Sequence, residues 1–209
     1  MKITKFEHAC FIVEQNGQSL IVDPGQYTTD LVVPDNVAAV VITHNHADHY
    51  KEDYLQQIAT KNPDAIVVGL REVVSQFSDL KTQTVIANEG IRFGEFELEF
   101  FGGQHAVIMS DIPAIGNIGV MINNRLYYPG DSFAVPDKPV EVLALPIAAP
   151  WMKFSESIEF LRAVKPKITF PTHDAILSET GKSLVDSMIP NFAEKAGTTY
   201  KRLTAPLDV

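Results

Sequence analysis

The run Ala38 to Thr43, Ala-Ala-Val-Val-Ile-Thr, leads directly into His44-Asn45-His46-Ala47-Asp48-His49. A continuous apolar stretch of this length, without polar alternation, reads as a strand buried on both faces. Such a strand must be covered on each side, which restricts the chain to a layered architecture of sheet and helix. The histidines that follow sit where the strand ends and a loop begins, the place where a rigid scaffold presents chemistry.

The rest of the chain supports the layered reading. Cys10 to Glu14 and Ser19 to Val22 flank Asn16-Gly17, and Ile118 to Ile122 and Arg125 to Tyr128 flank Asn123-Asn124, two hairpin signals. Helical spacing runs over Lys51 to Thr60, with Ala65 to Leu70 as strand and Arg71 to Phe77 as a short helix. Phe96, Leu98 and Phe100 alternate with Glu95, Glu97 and Glu99, a half-buried strand with an acidic solvent face. Val140 to Leu145 and Ile168 to Phe170 read as strands. Ser155 to Val164, with Ser155 as N-cap, and Ser183 to Ala196 read as helices. Strands fall in two blocks, each followed by helical material, so two packed sheets covered by helices are expected. The pattern alone leaves α/β and α+β open. No linker, repeat or low-complexity stretch interrupts residues 1–209, so a single domain is expected.

Three of the six histidines fall within positions 44–49, the densest donor cluster in the chain. Imidazoles bind zinc, carboxylates complete or bridge such sites, and a strand end holds donors in convergence. The other candidates also follow strands: His105 after Gly102-Gly103-Gln104, Asp131 in Pro129-Gly130-Asp131-Ser132, and His173 in Pro171-Thr172-His173-Asp174.

The order His-x-His-x-Asp-His, then a lone His, then Gly-Asp, then a last His, resembles the metallo-β-lactamase-fold hydrolase superfamily. The resemblance runs from Leu20-Ile21-Val22-Asp23-Pro24-Gly25 to Pro171-Thr172-His173-Asp174. Leu145-Pro146-Ile147, a helix and Lys165-Pro166 further resemble its branch of small metal-dependent hydrolases similar to L-ascorbate-6-phosphate lactonase. The resemblance implies a four-layer αββα sandwich with the site at one edge of the sheets. It implies that His44, His46 and His105 bind one metal, that Asp48, His49 and His173 bind a second, and that Asp131 bridges them. Zinc suits these ligands best, and manganese fits them too. Two dications roughly 3.5–4 Å apart would bring a shared water's pKa to about 7, giving a hydroxide to attack a carbonyl carbon or phosphorus. Asp48 and Asp131 then carry the chemistry, Asp48 by orienting the nucleophile and relaying its proton. Asp rather than Cys at 131 departs from many zinc β-lactamases. His rather than Glu at 46 departs from the flavodiiron oxidoreductases.

Several other residues keep two readings. His8 either lines the pocket or is a hydrogen-bonded strand histidine. Cys10 is a buried thiol rather than a ligand. Asp23 is an outer-shell anchor or a plain turn aspartate. Trp151 and Lys153 form a pocket wall or belong to core and surface. Asp174 is a substrate contact or a capping group.

The expected substrate is a small-molecule lactone, ester, amide or phosphoester. The alternatives are a phosphodiesterase or nuclease, and a catalytically silent metal-binding protein. A net charge of −9 disfavours nucleic acid and anionic membrane as partners. The roughly 40 residues between Asp131 and His173 are too few for an inserted nuclease domain. One cysteine and no signal peptide or spanning run suit a cytoplasmic protein. Assemblies occur in the lactonase-like branch, so a homo-oligomer is allowed.

Overall fold

The computed structural model describes residues 1–209. The first sheet has the strand order β14-β1-β2-β3-β4-β5-β6: β14 (Leu207–Asp208), β1 (Lys2–Lys5), β2 (Phe11–Gln15), β3 (Gln18–Val22), β4 (Val37–Ile42), β5 (Ile66–Gly69) and β6 (Thr82–Thr84). The second runs β13-β12-β11-β10-β9-β8-β7: β13 (Thr199–Tyr200), β12 (Ile168–Thr172), β11 (Val142–Pro146), β10 (Leu126–Tyr128), β9 (Ile118–Ile122), β8 (Phe96–Gly102) and β7 (Gly90–Phe93). Four helices complete the chain: α1 (Glu52–Lys61), α2 (Arg71–Val74), α3 (Phe154–Val164) and α4 (Glu179–Lys195).

Three hydrophobic clusters reveal four layers. The largest joins residues of both sheets, among them Phe11, Val41, Phe100, Val120 and Phe170, and fills the space between them. A second packs the other face of the first sheet, through Ile21, Val40 and Val67, against Leu55, Ile58 and Val73 of α1 and α2. A third packs Tyr127, Leu143 and Leu145 against Ile158, Leu161, Val185 and Ile189 of α3 and α4. The order is therefore α, β, β, α, as the resemblance implies. β4 is buried along both faces because it lies inside the first sheet, with the second sheet on one side and helices on the other.

Both hairpins form as expected. Asn16 and Gly17 have φ of 48° and 80°, and Asn123 and Asn124 both have 52°, the left-handed values that a two-residue turn needs to match strand twist. The acidic run is a solvated face: Phe96, Leu98 and Phe100 are buried while Glu99 pairs with Lys138.

The sequence reading needs correction at several ends. Ser155 does not cap α3. Lys153 is the N-cap, and its backbone N–H donates to the Glu156 carboxylate at 2.5 Å, so Ser155 lies inside the first turn. α4 starts a turn early, capped by Ser178, whose hydroxyl accepts from the Gly181 N–H. Arg71 to Phe77 gives only the four-residue α2. The edge strands β13 and β14 are two residues each, too short to show a period. No helix is long and apolar enough to cross a membrane.

Candidate metal centre

The loops at one end of both sheets bring seven expected residues together. His44, His46, Asp48 and His49 follow β4, His105 follows β8, Asp131 follows β10 and His173 follows β12. They converge as two groups: His44, His46, His105 and Asp131, and His8, Asp48, His49 and His173. In each group the donor atoms lie within 4.8 Å of one another. Asp131 also reaches the second group, with Oδ1 3.2 Å from His49 Nε2 and Oδ2 3.1 Å from His173 Nε2.

Close backbone packing fixes these loops. Gly25 lies so near the Asp48 carbonyl that a Cβ would sit 1.7 Å from its oxygen. Asp23-Pro24-Gly25 thus braces the histidine loop, helped by the Gln26 N–H to the Ala47 carbonyl at 2.8 Å. Gly130, at φ 63°, lets the Asp131 loop press on Asn117, where a Cβ would meet Oδ1 at 2.3 Å. The buried Asn117 accepts from the Asp131 N–H at 2.9 Å and donates to the Pro129 carbonyl at 2.9 Å. His8, Asp23 and His173 hold left-handed φ values of 58°, 44° and 61°. Non-glycine residues rarely adopt these, and such strain clusters at functional sites. The His173 N–H donates to the His8 carbonyl at 2.9 Å, joining loops of the two sheets.

Hydrogen bonds around the rim orient the rings. His105 Nδ1 faces the Ala106 carbonyl at 2.5 Å and His173 Nδ1 faces the Ala148 carbonyl at 2.6 Å. A carbonyl only accepts, so each Nδ1 carries a hydrogen and each Nε2 is the atom left facing inward. His49 Nδ1 is held at 2.7 Å by Asp23 Oδ2, while Asp23 also accepts from the N–H and hydroxyl of Thr43. His8 is reversed. Its Nδ1 accepts from the Ala175 N–H, so its Nε2–H points to Asp48 Oδ2 at 3.1 Å.

Four buried inward atoms have no hydrogen-bond partner: His49 Nε2, His105 Nε2, His173 Nε2 and Asp131 Oδ1. Buried polar atoms are nearly always satisfied. Four such orphans at and around Asp131, all of metal-ligating type, fit bound cations in the two groups.

Electrostatics divide the groups. Burial, then the facing His49, holds His44 well below the ordinary imidazole value, and burial and His105 lower His46. Burial also works to lower His49 and His173, but carboxylates outweigh it. Asp131 and Asp23 lift His49 well up, and Asp131 with Asp48 lifts His173 to about 9. Against the cost of burial, Asp48 is held below the carboxylate range by the adjacent His173 imidazole and the hydrogen bond from His8. Asp131, also against the cost of burial, lies well below that range chiefly through the charges of His49 and His173. Burial lowers His8 to about 4 despite Asp48.

The family model of the β-lactamase superfamily domain matches residues 2–173. The chain belongs to that superfamily. It is a metallo-β-lactamase-fold hydrolase, dependent on metal. Protein Rv0786c of Mycobacterium tuberculosis is 34% identical, over 88% of this chain and 89% of that protein. A UPF0173 metal-dependent hydrolase of Carboxydothermus hydrogenoformans is 28% identical, over 83% of this chain and 84% of the other. The solved structure of Igni18, a metallo hydrolase of Ignicoccus hospitalis, has the same fold. Its TM-score is 0.72 at 17% identity, over 100% of this chain and 98% of that one.

The remaining expectations divide. His8 is not on a strand. It lies in the turn between β1 and β2, buried and bonded to Asp48. Cys10 is buried, and burial pushes its thiol up to about 12, in keeping with an inert core residue of this hydrolase. Trp151 is not an exposed wall. It is buried, and its indole N–H donates to Asp131 Oδ2 at 2.7 Å. Lys153 is exposed and its ammonium makes no bond to the site, because the residue's backbone is used to start α3. Asp174 is buried, and its Oδ2 accepts from Arg202 Nη1 at 2.5 Å. Sequence reasoning missed Asn117 and the hydrogen bonds of Trp151 and Thr43. No motif marks them, and only proximity in the fold gives them a role.

Proposed function

We propose that this hydrolase holds two divalent ions and cleaves a small-molecule lactone, ester, amide or phosphoester. His44, His46 and His105 would hold one ion, Asp48, His49 and His173 the other, and Asp131 both. Zinc suits the donor set best, with manganese as the alternative. The observation that carries this reading is the inward set of unpartnered Nε2 atoms, each opposite an Nδ1 tied to a carbonyl or carboxylate. Outer partners of this kind fix tautomer and ring angle for metal binding.

When bound, such ions supply Lewis acidity and a water that ionises near neutral pH. The chain's own groups do the rest. Asp48 and His46 are the half-buried members, so substrate approaches on their side. Asp48, ionised and steadied by the His8 Nε2–H, can accept a proton at Oδ1 and return it to the leaving group. His8 acts as a donor to Asp48 and not as a ligand, since its Nε2 bears the hydrogen.

The test is metal content by plasma mass spectrometry on chain purified without chelator, compared with Asp131→Ala. About two ions per chain, falling below one in the variant, is the expected result. No bound ion after reconstitution with zinc or manganese overturns it.

A further inference from the structure

Beyond His105 the chain runs through Ala106-Val107-Ile108-Met109-Ser110-Asp111-Ile112-Pro113-Ala114-Ile115, a loop that is apolar apart from one serine and one aspartate. It is anchored to the ligand framework at its base. The Gly103 N–H donates to the Asn117 carbonyl at 2.9 Å, the His105 N–H to the Ile115 carbonyl at 3.0 Å, and the Ala106 N–H to the Asp131 carbonyl at 2.9 Å. An inner bond, from the Ile112 N–H to the Met109 carbonyl at 3.1 Å, shapes its tip.

Between this loop and the centre lies a cavity of about 80 Å³, walled by His46, His105 and apolar side chains that include Val107, Ile108 and Ile112. Val107 is 68% exposed, Met109 54% and Ile112 46%, so the apolar character continues outward from the cavity mouth. No cation lines it, and the loop's one charge is the acidic Asp111.

We propose that this cavity is a subsite for a short hydrocarbon arm on the substrate. The favoured substrates are then esters, lactones or phosphoesters that carry a short alkyl substituent beside the bond cleaved. The proposal rests on the reading of the centre as a metal-dependent hydrolytic site. Two of the cavity's walls are proposed ligands, so a group seated there adjoins the bond held at the ions. The volume admits roughly two or three groups of methyl or water size. An apolar arm would leave water for an apolar wall. A charged arm seated inside the cavity would lose hydration with no Lys or Arg to replace it.

The test uses zinc-loaded full chain and a series of straight-chain alkyl hydroxamates, whose head chelates metal and whose tail grows by one methylene at a time. Binding is measured by calorimetry. Affinity is expected to rise about fourfold per methylene from acetohydroxamate to butyrohydroxamate, and then to level off. In the double variant Ile108→Ser, Ile112→Ser, zinc content checked first, the gain should fall below about twofold per methylene. Equal affinity along the wild-type series, or an unchanged gain in the variant, overturns the subsite while leaving the metal reading intact. A wild-type dimer on gel filtration that the variant dissociates assigns the loop to an interface between copies, and also overturns it. Acetohydroxamate that fails to bind chain with zinc in place overturns the underlying reading, and the subsite with it.

Discussion

The two halves of the candidate metal centre are built from similar side chains yet held in opposite electrostatic states. Around His44 and His46, rings face rings, with burial and neighbouring imidazoles keeping both neutral. Around His49 and His173, carboxylates from both sheets surround the rings and keep them protonated in the metal-free chain. A cation can enter the first half without displacing a proton from these two rings. To enter the second it must replace the Nε2 protons of His49 and His173 that face Asp48 and Asp131. The same residue type thus does different work according to whether an imidazole or a carboxylate stands beside it.

Removing the residue common to both halves gives the largest effect. Asp131→Ala should lower hydrolysis by about 100-fold or more, beyond the loss of a single outer partner, and should deplete both ions. If only one ion is lost, the halves are independent and Asp131 belongs to one of them.

Asp23→Asn acts on one half alone, through His49. The affinity of one ion should fall about 10- to 100-fold, while the ion at His44, His46 and His105 is retained. Calorimetric titration of the two equivalents separates these outcomes, and equal weakening of both would erase the distinction.

Acidity should separate the halves next. His173 sits near 9 and His49 is also raised, so their protons compete with metal at neutral pH. Affinity of the second half should therefore rise with pH, about tenfold per unit for each proton displaced, until pH passes about 9. The lowered values of His44 and His46 predict no such rise from these rings above pH 6.5. Titration in buffers of differing ionisation enthalpy measures the protons released. Equal release from both equivalents would contradict the division.

The smallest effect belongs to Trp151→Phe, which keeps a buried aromatic and deletes the N–H on Asp131 Oδ2. Loss of one such hydrogen bond should weaken metal binding about fivefold. A shifted cobalt absorption spectrum would tie that loss to the carboxylate and not to packing.

Much of this was legible in the chain. The apolar β4 run, the paired turn residues and the alternation of Phe96, Leu98 and Phe100 follow from burial and backbone sterics, which act locally. The ligand candidates were legible because strand-end histidines and aspartates in that order are few. What lay hidden depends on contacts between distant segments. Trp151 looks like a pocket aromatic until its N–H is seen on Asp131. Asp174 looks unpaired until Arg202, 28 positions on, is seen on its Oδ2. His8 reads as a strand residue because nothing local announces a left-handed turn there.

The candidate ligands are also divided between the two sheets, with four on the loop after β4 and the others spread as far as His173. During synthesis His44 to His49 emerge early and His173 much later. A nascent chain lacking β12 holds the first half's four donors but, of the second half's ligands, only Asp48, His49 and the shared Asp131. In the proposed two-ion centre the second half is therefore complete only once β12 has docked, which places the filling of that half late in this protein's maturation.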